Sequence, residues 1–328
     1  MKHIFIFALK ILLTVIPAYF VYKNIVSSPD FGLDDLVSLW TDIKVFPIFL
    51  AIFCMLISHF TGCMQWQVLL KKQEISLSFT HLLKLYFVGL FFNNFMPGNI
   101  GGDVKKIYDI RMQGGQDSIG AGLTATFFDR LFGLFFLTVL ALGVGFLFFI
   151  HDNSQRVFLI PSLWTFFGFC FLFACLFSKR LGKLLAKGAK IIFPEKIYLR
   201  LLRMQNRFQY FRTWNLWGKI FLLSTITQIL RVLVHYFCGI AIGIDIAVSW
   251  YFFYIPLVAI VSALPISIGG FGPRELLAQS LFAKIGVSNL NSVFVQLIAY
   301  FVGLLLSFIG VVFFFTDTGK IQTKHKEH

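Results

Sequence analysis

The chain has 328 residues, of which 58% are hydrophobic and only 13% are charged. Soluble domains are close to half apolar and about a quarter charged, so this composition excludes a water-soluble globular protein. The formal net charge of +14 would suggest nucleic acid in a soluble protein. Here the basic residues cluster in particular loops, which favours membrane orientation and anionic headgroups, so we expect no nucleic-acid partner.

Six apolar stretches are long enough to cross a bilayer, which requires about 20 residues per helix. They are residues 4–22, 45–69, 119–150, 158–178, 217–243 and 292–315. Two further apolar stretches, 79–97 and 250–268, each lead into a proline and a Gly-Gly pair. We interpret these two as re-entrant segments, which predicts an all-α membrane bundle with six full spans. If both cross completely, there are eight spans.

The loops differ sharply in charge. Residues 179–219 contain eleven basic residues and one acidic residue, whereas residues 23–44 contain four aspartates and two lysines. The positive-inside rule therefore predicts a multi-pass protein of the cytoplasmic (inner) membrane with both termini in the cytoplasm. Within this basic region, residues 179–216 have apolar side chains at near-helical spacing, which predicts an amphipathic interfacial helix broken at Pro194. The alternative is a solvated cytoplasmic loop.

Two segments share a motif at identical spacing, FNNFMPGNIGGDVKK at residues 92–106 and SALPISIGGFGPRE at residues 262–275. The matched positions, 168 residues apart, are Pro97, Ile100, Gly101 and Gly102 against Pro265, Ile268, Gly269 and Gly270. The same offset superimposes the flanking apolar stretches, which predicts an internal repeat of residues 45–150 and 213–318 in one membrane domain. The loop charges orient the two halves oppositely. Inverted repeats with interrupted segments are typical of transporters, and the interruptions mark the binding site.

Polar residues at these motifs are candidates for binding an anionic headgroup. A glycine-rich turn that opens a helix leaves backbone N–H groups unpaired, which suits a phosphate. The alternative is that proline and glycine only build a tight turn beside ordinary interfacial charges. The candidates are Asn94, Gly101, Gly102, Asp103, Lys106, Gly269, Gly270, Arg274 and Glu275.

Some of these residues also have structural interpretations. Asn94 and its neighbour Asn93 are expected to cap exposed backbone. Asp103 is expected to act as a helix cap, as the partner of a nearby cation or as a proton carrier, in that order. Glu275 is expected to pair with Arg274 and to set its orientation.

Three ionisable residues inside apolar stretches complete the set of candidates. Asp129 and Arg130 lie in the stretch 119–150, and Arg231 lies in the middle of 217–243 with His235 one turn later. Charged residues at such depth are costly unless they face the bundle interior or water. Arg231 is therefore either part of a buried structural pair or a cation that guides an anionic headgroup.

No catalytic set of residues is visible, so we do not expect an enzyme. The sequence has no His, Cys and carboxylate cluster with metal-ligand spacing, no nucleophile elbow and no P-loop. We therefore expect no metal and no cofactor. The five cysteines lie in apolar stretches, where a free cysteine behaves as a small buried hydrophobic residue.

Three segments resemble motifs of the lysylphosphatidylglycerol-synthase transmembrane family, also called UPF0104 or flippase-like. The segments NNFMPGNIGGDVKK, ATFFDRLFGL and ALPISIGGFGPRE occur in the order of the family and cover nearly the whole chain. One departure is Lys106, where the family more often has arginine. The basic charge is kept, but bidentate recognition of a phosphate is not.

The resemblance implies an inner-membrane protein linked to lipid translocation. In the bifunctional synthases this module resembles the part that flips the aminoacylated lipid, while a separate soluble domain makes that lipid. Because the chain stops at His328, soon after its last span, we do not expect aminoacyl transfer.

Three hypotheses follow for the function. The first is a translocator of an anionic or modified phospholipid or lipid-linked headgroup, in which both broken segments line one cavity holding Lys106, Arg231 and Arg274. The second is a scaffold or regulator of an envelope lipid enzyme. The third is a membrane enzyme acting on lipid headgroups, for which Asp103, Asp129 and Glu275 are the only plausible acids and bases.

Overall fold

The computed structural model describes residues 2–27, 33–95, 101–114, 117–151, 156–178, 180, 194–263, 267 and 270–324. Thirteen α-helices and two short 3₁₀ turns lie in these ranges, and the turns are Gln209–Phe211 and Ala283–Ile285. The helices are α1 (Lys2–Val26), α2 (Leu33–Thr41), α3 (Val45–Lys72), α4 (Phe79–Phe95), α5 (Gly101–Gly114), α6 (Asp117–His151), α7 (Arg156–Phe177), α8 (Glu195–Phe208), α9 (Trp214–Ala241), α10 (Val248–Ala263), α11 (Pro273–Phe282), α12 (Asn289–Ser307) and α13 (Ile309–Lys324).

The architecture is a polytopic helical bundle, as the sequence predicts. Within the described residues, four helical segments are long and apolar enough to cross a membrane: Val45–Lys72, Ser118–Phe148, Trp214–Ala241 and Asn289–Thr316. They coincide with four of the six predicted spans. Ser162–Phe177, inside the predicted span 158–178, is a shorter apolar helix.

The centre of the bundle is the antiparallel pair α3 and α9, each 28 residues long. The backbone N–H of Lys44, at the start of α3, donates to the carbonyl of Ala241, at the end of α9, at 2.9 Å. Near the middle of both helices the hydroxyls of Thr61 and Thr227 are 2.7 Å apart. At 1.5 Å per residue each helix is about 42 Å long, which exceeds the hydrocarbon thickness of a bilayer.

Both predicted re-entrant segments are parts of helical hairpins. The hairpin of α4 and α5 is closed near its tip by a hydrogen bond from the Gly102 N–H to Asn93 Oδ1 at 2.8 Å. In the hairpin of α10 and α11, Phe282 at the end of α11 packs against Tyr251 near the start of α10, with ring centroids 5.4 Å apart. Each chain segment thus returns toward the end of the bundle that it entered from. Re-entrance requires hairpins of this kind, and the choice between six and eight spans stays a prediction.

The two halves of the chain share one order of elements. In the first half, α3 is followed by the α4–α5 hairpin and the long helix α6; in the second, α9 is followed by the α10–α11 hairpin and by α12 and α13. An internal repeat requires this order, and an inverted repeat requires the antiparallel packing of α3 on α9. The repeat itself stays a prediction.

The basic region between the halves contains α8, which begins directly after Pro194. Its last residue, Phe208, is completely buried beneath α6, with a ring centroid 5.9 Å from that of Phe128. The backbone carbonyl of Arg207 accepts a hydrogen bond from Gln73 Nε2 at 3.1 Å. This contact places α8 at the same end of the bundle as the loop after α3, as the charge distribution predicts. The first part of the region, residues 181–193, lies outside the described residues.

Candidate functional site

A cavity of about 230 Å³ lies between the two hairpins. It is bounded by the middle of α3, by the ends of α4 and α9, by the first turn of α11 and by the middle of the span 289–316. Its lining residues are Met55, His59, Leu90, Asn94, His235, Arg274, Gln296, Ala299, Tyr300 and Gly303. Both broken segments therefore contribute to one cavity, through Asn94 in the first and Arg274 in the second.

Arg274 occupies the second position of α11, where a tight turn directs it at the cavity. The turn uses glycines at positive φ, +78° at Gly270 and +87° at Gly272, a conformation that other residues rarely adopt. The Gly272 N–H donates to Glu275 Oε2 at 2.8 Å, which satisfies one of the free donors at the helix start. Gly269, the other predicted member of this turn, lies outside the described residues.

The guanidinium of Arg274 is held by one carboxylate and two rings. Its Nε donates to Glu275 Oε1 at 2.9 Å, and a terminal nitrogen bonds the same oxygen. Its central carbon lies 5.0 Å from the ring centroid of Phe271 and 5.5 Å from that of Tyr300. The expected pairing of Arg274 with Glu275 is thus present, and cation–π contacts fix the orientation of the side chain.

Lys106 has a similar set of partners but does not line the cavity. Its ammonium lies 4.1 Å from the ring centroid of Tyr86, 5.3 Å from that of Trp66 and 3.9 Å from Asp103 Oδ1. Its side chain is only 8% exposed. The side chain passes over Gly89 in α4, where an added Cβ would lie 2.9 Å from Lys106 Cγ. The sequence analysis predicted that this lysine lies in the cavity. In the structure it lies inside the α4–α5 hairpin, where it pairs with Asp103.

Asp103 forms ion pairs with two cations that belong to different helices. It pairs with Lys106 in its own helix and forms an ion pair with Nε of Arg130 in α6. Because Asp103 lies in the first turn of α5, it also carries the charge that the positive end of a helix dipole favours. Asp103 thus ties the re-entrant hairpin to the adjacent span as the partner of nearby cations.

Asp129 takes part in a hydrogen-bonded bridge between the two halves. Gln65 Nε2 in α3 donates to Asp129 Oδ1 at 2.8 Å, and Ser224 Oγ in α9 donates to Gln65 Oε1 at 2.6 Å. Three spans are therefore connected through polar groups at a depth where unpaired groups are costly. Gln65 was not among the predicted residues.

Arg231 also lies outside the cavity wall. Its backbone carbonyl is 3.0 Å from Nδ1 of His235, one turn later on the same face, as predicted. Of the three cations expected in the cavity, Arg274 lines it, and Arg231 and Lys106 do not.

The first glycine pair has a packing role. Gly101 begins α5, and Gly102 approaches α4 so closely that an added Cβ would lie 2.6 Å from the carbonyl carbon of Gly89. The Gly102 N–H donates to Asn93, so it is not an unpaired donor for a phosphate. The expected capping role is confirmed for Asn93, whereas Asn94 faces the cavity.

Three polar lining residues were not predicted from the sequence: His59, Gln296 and Tyr300. His59 lies near the middle of α3 and Gln296 lies in the first half of the span 289–316, and both are almost completely buried. A polar or ionisable residue inside an otherwise apolar span is by default a functional candidate. The same rule that selected Arg231 could therefore have selected His59.

A second recess, of about 430 Å³, lies at the basic end of the bundle. It is formed where the end of α3 meets the start of α9, and its basic residues are Lys71, Lys72 and Lys219, all exposed. It is a surface feature, well separated along α3 from the cavity at Met55 and His59.

These features define a class of protein, a polytopic helical membrane protein in which two helical hairpins contribute side chains to one cavity. The chain belongs to the lysylphosphatidylglycerol synthase TM region family, whose model matches residues 7–312. It is similar to the UPF0104 membrane protein PH1989 of Pyrococcus horikoshii, with 25% identity over 327 residues covering 86% of this chain and 91% of the relative. The resemblance read from the motifs is confirmed, and it points to a function related to membrane lipids.

Proposed function

We propose that the protein moves an anionic or modified phospholipid, or a lipid-linked headgroup, across the cytoplasmic membrane. The observation that carries this proposal is the cavity of about 230 Å³ lined by both re-entrant hairpins and containing Arg274. Non-helical backbone inside a membrane is tolerated only where it is buried in protein or lines a wet cavity. Interrupted helices that face each other across one cavity are the arrangement that transporters use.

The size of the cavity is compatible with a headgroup and not with a whole lipid. Pockets that enclose drug-sized ligands span about 300–1,000 Å³, so this smaller cavity accommodates a phosphate and a few attached atoms. The acyl chains must then remain in the bilayer while the headgroup passes through the protein. The energetic role of the cavity is to replace water around the headgroup, because a polar group without partners in hydrocarbon costs several kcal/mol.

Arg274 can bind a phosphate without losing its carboxylate partner. A guanidinium carries five N–H donors, and Glu275 Oε1 takes one from Nε and one from a terminal nitrogen. The remaining donors lie in the same plane, so an anion in the cavity adds to the ion pair and does not have to break it.

A reconstituted transport assay tests the proposal. The purified protein is placed in vesicles that contain an acyl-labelled fluorescent phospholipid, and an impermeant reductant bleaches the outer leaflet. Vesicles with the wild-type protein should lose inner-leaflet fluorescence faster than empty vesicles. The test variant is Arg274→Gln combined with Glu275→Gln, which removes both charges at similar volume and leaves an amide oxygen to cap Gly272.

The double variant is preferable to Arg274→Ala. Removing only the arginine leaves Glu275, which is 4% exposed, as a buried charge without its partner, and breaking a buried pair costs about 3–5 kcal/mol. Arg203→Gln, at an exposed position on α8, is the matched control. Loss of transport in the double variant and not in the control supports the proposal. Equal bleaching in wild-type and empty vesicles, for anionic and zwitterionic lipids alike, would refute it and would favour the scaffold hypothesis.

A further inference from the structure

The lining of the cavity contains one formal positive charge and no acidic side chain among the residues that the structure describes. Residues 96–100 and 264–269, most of which lie outside the described residues, contain no charged residue in the sequence. The remaining polar lining residues, among them two histidines and Asn94, are uncharged hydrogen-bonding groups or weak bases. No carboxylate in the lining is therefore positioned to bind an ammonium group.

The side chain of His59 indicates which kind of ligand group the cavity can bind. Its side chain is 6% exposed, and neither ring nitrogen has a hydrogen-bond partner in the part of the chain that the structure describes. A buried polar group without a partner destabilises the protein, so such a group calls for a ligand that satisfies it. One imidazole nitrogen donates and the other accepts, which matches a hydroxyl group.

The positive charge in the cavity lining also favours a phosphate over an ammonium group. Arg274 lines the same cavity as His59 and His235, and Lys106 lies on the ring of Tyr86, whose centroid is 6.2 Å from that of His59. An ammonium on the headgroup would meet the Arg274 guanidinium, which carries the same sign of charge, and would find no carboxylate among the described lining residues. A phosphate would meet Arg274, and neutral hydroxyls would meet the imidazoles.

We propose that the cavity selects a headgroup made of one phosphate and an uncharged hydroxyl-bearing group, and rejects headgroups that carry an ammonium. This inference rests on the proposed function, because it names the class of lipid that the same cavity accepts. It implies that an aminoacylated, cationic lipid such as the one in the name of the family is not the preferred substrate of this chain.

Two independent measurements test it. In the transport assay, three acyl-labelled lipids are compared: phosphatidylglycerol, phosphatidic acid and lysylphosphatidylglycerol. Phosphatidic acid has the phosphate without the hydroxyl-bearing headgroup alcohol, and lysylphosphatidylglycerol adds ammonium groups to that alcohol. In detergent, the same three lipids are compared by the rise in melting temperature that a ligand of the native state produces. We expect phosphatidylglycerol to be favoured over each of the others by about tenfold, which corresponds to about 1.4 kcal/mol.

The two measurements separate the two proposals. If no lipid moves but phosphatidylglycerol stabilises the protein selectively, the transport function fails and the selectivity stands. If lipids move but lysylphosphatidylglycerol moves as fast as phosphatidylglycerol, the selectivity fails and the transport function stands. If no lipid moves and none stabilises the protein, both are overturned.

Variants of two lining residues sharpen the test. His59→Leu should abolish the preference for phosphatidylglycerol over phosphatidic acid while Arg274 still binds the phosphate; replacing an unpaired buried polar group by an apolar one should not impair folding. Met55→Glu places a carboxylate in the wall and should shift the ratio toward lysylphosphatidylglycerol by about tenfold. Met55→Gln is its matched control. Equal ratios in these two Met55 variants, or an unchanged preference in His59→Leu, would overturn the inference.

Discussion

Replacing Gly102 by alanine perturbs a position where the first hairpin has no room for a side chain, because the backbone of α4 lies too close. An ideal Cβ there would lie 2.6 Å from the carbonyl carbon of Gly89 and 2.8 Å from Cγ of Asn93. Carbon atoms pack at about 3.5–4.0 Å, so α4 and α5 must separate by about 1 Å. Overpacking of this kind costs about 1–3 kcal/mol, and the separation also lengthens the hydrogen bond from Gly102 to Asn93.

The control is Gly143→Ala in α6, where an added Cβ meets no atom within 4 Å. Alanine has a higher helix propensity than glycine by about 1 kcal/mol, so this variant should be as stable as the wild type or more stable. Thermal unfolding in detergent, followed by intrinsic fluorescence, should rank the proteins as Gly143→Ala, wild type and Gly102→Ala, from most to least stable. Equal shifts of the melting temperature in the same direction for both variants would refute the claim that α4 and α5 leave no room for a Cβ at Gly102.

Three further predictions concern the interior and the orientation. A double-mutant cycle with Gln65→Leu and Ser224→Ala, measured by unfolding in detergent, should give a coupling energy of about 0.6 kcal/mol, as other intramembrane hydrogen bonds do; strict additivity would contradict the bridge. Asp103→Asn removes the carboxylate that pairs with two cations and should lower stability by about 3 kcal/mol in the same assay, and an unchanged melting temperature would argue against this ion pair. In cells with an otherwise cysteine-free variant, an impermeant maleimide should label Asp245→Cys directly and Arg203→Cys only after permeabilisation; the reverse pattern would invert the predicted topology.

The positions of the helix breaks could be predicted from the sequence because they depend on the local chemistry of proline and glycine. Proline removes a helical donor, and glycine permits positive φ, so a proline followed by a Gly-Gly pair inside an apolar stretch indicates a break whatever packs around it. The positive φ at Gly270 and the hairpin formed by α4 and α5 are consequences of this kind. Four of the six predicted spans were equally predictable, because their length and apolarity are set by the bilayer and not by neighbouring helices.

The lining of the cavity could not be predicted in the same way. Which polar side chain faces the cavity depends on helix rotation and on contacts between distant parts of the chain. Lys106 turns inward because Gly89, in another helix, lets its side chain pass and because Trp66 and Tyr86 provide rings on which the ammonium rests. None of these contacts follows from the motif that contains Lys106, and the motif alone placed it in the cavity.

Lys106 and Arg274 show why equivalent motif positions need not have equivalent functions. They are 168 residues apart, the offset of the two motifs, and each cation contacts two aromatic rings and a carboxylate close by in the chain. The ammonium of Lys106 is a compact point charge, and its carboxylate and rings surround it in a buried position. The guanidinium of Arg274 is a planar fork that can keep Glu275 on one edge while presenting other donors to the cavity. The proposal that only the second motif binds an anion therefore rests on the side-chain type and its burial, even though the two sequence motifs share their proline and glycines.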